Sequence, residues 1–203
     1  MSTRATAAVE RALDSRQRDA SAEVERILAA TITVMQRAAP DEARVNDIIA
    51  EAGSSKKAFY KYFSSKDELM LAVLERGVTI IVSYLEHQMA KAAHPVEQIA
   101  CWIEGALAQV ADPHLMAMSR AVHDQLSASV RGAPADDIMT PMRDLLITPV
   151  MALGGPDPQR DTTAVFQITS ATMRRYVGSA DQPEADDIAH LVQFCLRGLG
   201  VSR

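Results

Sequence analysis

Cysteine occurs only twice, at Cys101 and Cys195, and neither belongs to a CxxC pair or a Cys/His cluster. That excludes a disulfide framework and a structural zinc site, and two buried thiols in a reducing compartment are expected. Glycine and proline number nine each, while Ala, Leu, Met, Glu, Arg and Gln are plentiful and few stretches alternate with period two. Local preference therefore favours helix over sheet. No uninterrupted apolar run reaches membrane-spanning length, and no secretory signal pattern opens the chain, so a cytoplasmic protein without membrane contact is expected. Catalytic patterns are missing as well. There is no G-x-S-x-G, P-loop or G-x-G-x-x-G, and His87, His94, His114, His123 and His190 show no HxxxH or HExxH spacing. No enzyme, metal site or cofactor is expected.

What is present is a divided charge. The formal net charge is -5 over 203 residues, yet residues 1–70 carry 11 Lys/Arg against 11 Asp/Glu and residues 71–203 carry 10 against 15. The excess of acid lies wholly in the second part. Lys56, Lys57, Lys61 and Lys66 fall within an acid-free run, and the local sign is what a groove-binding surface needs.

Residues 1–18 hold Arg4, Arg11, Arg16 and Arg18 without apolar periodicity and read as a mobile arm, either a solvated tail or one able to reach a minor groove. From about Ser21 the stripe Val24, Ile27, Leu28, Thr31, Met35 and Ala38 predicts an amphipathic helix ending near Pro40. Val45, Ile48, Ile49 and Ala52 repeat the pattern briefly, and Gly53 stops it as the residue best suited to a left-handed position after a helix. Ser55 is a good N-cap for the next helix. Two short helices about a glycine turn form a helix-turn-helix, whose second helix can enter a major groove. Phe59 and Phe63, at i and i+4, face its core, whereas Lys56, Lys57, Tyr60 and Lys61 lie largely on the other side. Ser65-Lys66-Asp67-Glu68 has the S-x-x-E form of a capping box and predicts a long helix from Ser65.

The ungapped run from Val45 to Leu69 resembles the signature of TetR repressors, roughly V-x-D-I-A-x-x-A-G-V-S-x-G-T-L/F-Y-x-H/Y-F-x-S-K-x-x-L. It covers about a quarter of the chain. The resemblance implies an all-α fold: a three-helix DNA-binding domain at 19–66, then a helical ligand-binding and dimerisation domain at 67–203, about nine helices in all. It implies a regulator, a ligand-responsive repressor, binding double-stranded DNA at a near-palindromic site as a homodimer. By resemblance, Tyr60, Tyr62 and Lys66 contact phosphate, Lys56, Lys57 and Lys61 contact base or phosphate, and Arg44, Ser55 and Ala58 complete the DNA-binding set. Ser54 replaces the usual apolar turn residue, Lys57 a Gly and Ala58 a Thr, while Arg44 stands where a Ser/Thr cap is common. Those substitutions bear on DNA preference, and they also fit a small-molecule sensor or protein-interaction factor that has kept a degraded motif.

In the second part, Pro95, Pro113, Pro134, Gly154-Gly155-Pro156 and Gln182-Pro183 punctuate helices predicted at 65–92, 96–111, 114–130, 136–152, 158–178 and 184–199. In the family the last two long helices pair with those of a second subunit. Apolar stripes containing Phe166 and Met173, and Val192, Leu196 and Leu199, are the candidate dimer interface. A largely apolar small-molecule effector is implied, with Tyr84, Trp102, Met116, Met118, Met139 and Phe166 as candidate lining, or as plain core, and Glu104, His123 and Arg143 as candidate polar contacts.

Overall fold

The computed structural model describes residues 4–38, 41–113, 115–116, 119–121, 137–179 and 181–201. Nine helices and no strand occur among them: α1 (Arg4–Ala38), α2 (Val45–Glu51), α3 (Lys56–Tyr62), α4 (Lys66–Met89), α5 (Pro95–Ala111), α6 (Thr140–Asp144), α7 (Ile147–Ala152), α8 (Pro158–Val177) and α9 (Ala185–Gly198). The all-α expectation holds. Met118, His114, His123 and most of the helix expected at 114–130 lie outside the described residues. No described helix is long and apolar enough to cross a membrane.

The chain divides into two compact units, Met1–Val73 and Leu74–Arg203, a division later than the expected one after Lys66. In the first unit α1 packs on α2 and α2 on α3. Ile27, Leu28 and Met35 of the expected stripe are buried, as are Ile48, Ile49, Phe59 and Phe63. Thr31 joins them because its hydroxyl donates to the Ile27 carbonyl at 2.7 Å, which satisfies the one polar atom the stripe brings inside. The helix start differs from expectation. Residues 4–18, read as an arm, continue α1 upstream of Ser21 and are nearly all exposed. A helix that buries no face carries no apolar stripe, so periodicity could not mark it, although its Ala, Arg and Gln content favours helix.

The second unit is built on α5, which packs against α7, α8 and α9. Ile99, Trp102, Ile103 and Ala106 are wholly buried in a core that includes Leu85, Met142, Leu146 and Val165. Gly105 permits a close approach to α4, since a Cβ there would lie 2.7 Å from Leu85 Cδ2 and 3.3 Å from the Tyr84 ring. The single helix expected at 136–152 is two, α6 and α7. Pro149 has no N–H for the Leu145 carbonyl, so a continuous helix would lose that bond, and its place in the first turn of α7 avoids the loss. Asp187, in the first turn of α9, accepts from the Glu184 N–H and from the Tyr176 hydroxyl, each at 3.1 Å, and so ties the end of α8 to the start of α9. Burial foremost, then the bond to Asp187, raises the Tyr176 phenol above its ordinary pKa. Burial likewise pushes the Cys195 thiol up.

Candidate nucleic-acid interface

The turn of the helix-turn-helix forms from local backbone chemistry. α2 ends in a Schellman arrangement: Gly53 N–H donates to Ala50 at 3.2 Å and Ser54 N–H to Ile49 at 3.1 Å. Gly53 sits at φ +59° with open space where a Cβ would point. Substitution there is a pure backbone effect, and Gly53→Val is expected to cost at least about 1–2 kcal/mol. Chemical denaturation would show it, and a stability equal to wild type would contradict the assigned turn.

Ser55 follows in extended conformation and caps α3, its hydroxyl accepting from the Ala58 N–H at 3.1 Å. The cap fixes the start of a seven-residue helix too short to hold itself. Phe59 and Phe63 anchor it from below, 5% exposed or less, with ring centroids 5.8 Å apart. With that face committed inward, Lys56, Lys57, Tyr60 and Lys61 stand in solvent. Tyr60 is 57% exposed although its ring edge meets Phe59. A groove of about 710 Å³ runs beside them, lined by Glu23, Ser55, Lys56, Lys57, Ala58, Tyr60 and Lys61.

Two of the expected contacts have partners within the protein. Tyr62 is half-buried: its hydroxyl donates to Glu23 at 3.2 Å and accepts from Lys61 Nζ at 3.1 Å. Both of its hydrogen-bonding roles are therefore taken within the protein. Lys66 reaches Glu42 at 3.0 Å with its side chain only 25% exposed. Arg44 precedes α2 and is exposed, but gives the helix no side-chain cap. Glu23 was not foreseen. No periodic signal marked it, because it stands just before the stripe that begins at Val24 and its partners lie 31 and 39 residues downstream.

The start of α4 also departs in detail. Ser65 accepts from the Glu68 N–H at 3.1 Å, but the Glu68 carboxylate turns to Ser64, accepting from its hydroxyl at 2.5 Å and its N–H at 2.6 Å. The bonds from the Ser64 hydroxyl, then from its N–H, hold Glu68 below the ordinary carboxylate pKa. A lowered folded-state pKa stabilises above the unfolded value, and that stabilisation fades as pH falls through the lowered one. Glu68→Gln should thus reduce Tm at neutral pH, and the difference from wild type should shrink as the pH falls below the ordinary carboxylate range. A gap independent of pH would contradict the assigned bonds.

Most of the effector candidates lie in the core of the second unit. Trp102 is wholly buried, its indole N–H donating to the Met142 carbonyl at 3.0 Å and its ring 6.3 Å from Phe166. Met116 is buried and Tyr84 is 38% exposed, while Met139 and Phe166 pack at the edge of the core. A groove of about 420 Å³ in this unit is lined instead by Glu75, Val78, Thr79, Val82, Ser83, Asp137, Ile138 and Pro141. Glu104 is exposed, and Arg143 pairs with its neighbour Asp144 at 2.8 Å. Of the candidate dimer residues, Val192 is buried within its own subunit, and Phe166, Met173, Leu196 and Leu199 pack on the same core. The outward apolar side chains of α8 and α9 are Ile168 and Phe194, 36% and 51% exposed.

Comparison with known proteins agrees with this geometry. Residues 27–73 match the model of the bacterial regulatory proteins of the tetR family. An uncharacterized HTH-type transcriptional regulator of Bacillus subtilis (strain 168), YvdT, is 41% identical over 59 residues, which span 29% of this chain and 30% of the relative. The fold resembles FadR of Bacillus subtilis in complex with stearoyl-CoA (TM-score 0.63, 18% identity, 88% of this chain and 99% of that one). It also resembles RolR in complex with resorcinol (TM-score 0.66, 17% identity, 92% and 91%), and a TetR regulator from Haloarcula marismortui (TM-score 0.65, 17% identity, 89% and 97%). With its glycine turn, capped second helix and exposed lysines, the segment 27–73 is similar to the tetR family of bacterial regulatory proteins.

Proposed function

We propose that the protein is a transcriptional repressor that binds a near-palindromic DNA site as a homodimer and releases it when a small molecule occupies its second unit. The observation that carries this is the exposed face of α3. Lys56, Lys57, Tyr60 and Lys61 are presented together by a capped helix whose other face is locked inward by Phe59 and Phe63. A short helix contacting one half-site binds weakly, and a second copy about one DNA turn away supplies the missing affinity. Ile168 and Phe194 are the apolar side chains on α8 and α9 available to that copy.

For the effector, two proteins of the same fold were solved with organic ligands, stearoyl-CoA in one and resorcinol in the other. They support an organic small molecule here, acting by its different affinity for two conformations of the regulator. Acting on DNA, such a repressor works in the cytoplasm.

Fluorescence anisotropy against duplexes from upstream of its own gene, with random duplexes as reference, tests the proposal. A preferred duplex is expected to bind on the order of 10³-fold more tightly than random sequence, with two chains per duplex. Equal binding to every duplex would favour a sensor or interaction protein that has kept only the shape of the motif.

A further inference from the structure

Glu23 is the one acidic residue lining the groove beside α3, among Lys56, Lys57 and Lys61. A carboxylate facing a polyanion weakens binding, so its place there needs a compensating role. Its two oxygens are both occupied. Oε1 accepts from the Ser54 hydroxyl at 3.1 Å and Oε2 from the Tyr62 hydroxyl at 3.2 Å. Ser54 lies in the turn before α3 and Tyr62 is the helix's last residue, so one side chain of α1 grips the recognition helix at both ends. Tyr62 passes the restraint on, since Lys61 donates to its hydroxyl at 3.1 Å and lies over its ring at 4.7 Å from the centroid.

Ser54 also has a local reason to need this partner. It is the third residue past the end of α2 in the Schellman turn, where an apolar side chain commonly packs back onto the helix. A hydroxyl cannot supply that contact, and the bond to Glu23 replaces it.

We propose that Glu23 is a positioning residue for sequence discrimination. It fixes the angle of α3 and the reach of Lys61 through Ser54 and Tyr62, while its charge penalises loose attraction to phosphate. The inference rests on the DNA-binding function proposed above. An operator duplex recovered from a random pool by the wild-type protein, and poly(dI-dC) as non-specific competitor, give the two affinities whose ratio measures discrimination. Glu23→Gln removes the charge and leaves a single acceptor for two hydroxyls. Its non-specific affinity should rise about twofold, and the ratio should fall about fivefold, the scale of one misaligned base contact. Ser54→Ala keeps the charge and cuts one bond, so its ratio should fall while affinity for poly(dI-dC) stays unchanged. A merely structural role would lower Tm in both variants and leave the ratio of the folded protein intact, which overturns the proposal. A wild-type protein that enriches no duplex overturns the DNA-binding function itself, and this inference with it.

Discussion

Replacing Lys56, Lys57 and Lys61 together by Ala is expected to reduce DNA affinity on the order of 10³-fold per subunit, taking roughly 1.5 kcal/mol for each lost hydrogen bond to a charged group. Each phosphate contact releases counterions, so three lost contacts should flatten the slope of log K against log salt by about 2.7 per subunit. The single variants should not be equal. Lys56 and Lys57 stand exposed at the first turn of α3, where the helix dipole adds to their field. Lys61 is held by the Tyr62 hydroxyl and ring, so it enters the complex already ordered, and it gives up that bond if it moves to a phosphate. All three point away from the core, and their loss should change stability by less than about 0.5 kcal/mol. The measurement is a salt titration of anisotropy beside a melting curve. An unchanged slope with unchanged Tm would remove this face of α3 from the interface.

What made that face legible in the sequence is that its determinants are consecutive. Gly53 sets the turn, Ser55 the cap and the Phe59–Phe63 spacing the inward side, and each acts within a few residues of itself. The substitution at Ser54 was visible, but not its partner, because Glu23 lies 31 residues upstream in α1. Tertiary hydrogen bonds of that kind leave no periodic trace. The same limit explains Tyr62 and Lys66: the motif placed them near DNA, and only the fold shows Glu23 and Glu42 holding their polar atoms. Pro149 and the break between α6 and α7 were a different case, since the cause stood in the sequence and the amphipathic pattern on both sides obscured it.

The second unit was legible as helices and not as a site, for a physical reason. Apolar side chains at helical spacing look the same whether they line a cavity or fill one, and Trp102 is the residue on which the two alternatives divide most sharply. As a core residue, Trp102→Ala should destabilise the second unit by about 3–5 kcal/mol, because it vacates a position buried among Ile99, Ile103 and Val165 and strands the Met142 carbonyl. Trp102→Phe keeps most of the volume and loses only the N–H donor, so its cost should be nearer 1–3 kcal/mol, the scale of one unsatisfied buried acceptor. The chain has a single tryptophan, which lets intrinsic fluorescence follow wild-type unfolding, while circular dichroism follows the variants. A residue lining an effector cavity would behave in the opposite way, with stability nearly kept and effector-induced release of DNA lost. Trp102→Ala within about 1 kcal/mol of wild type would therefore return this tryptophan to the ligand site.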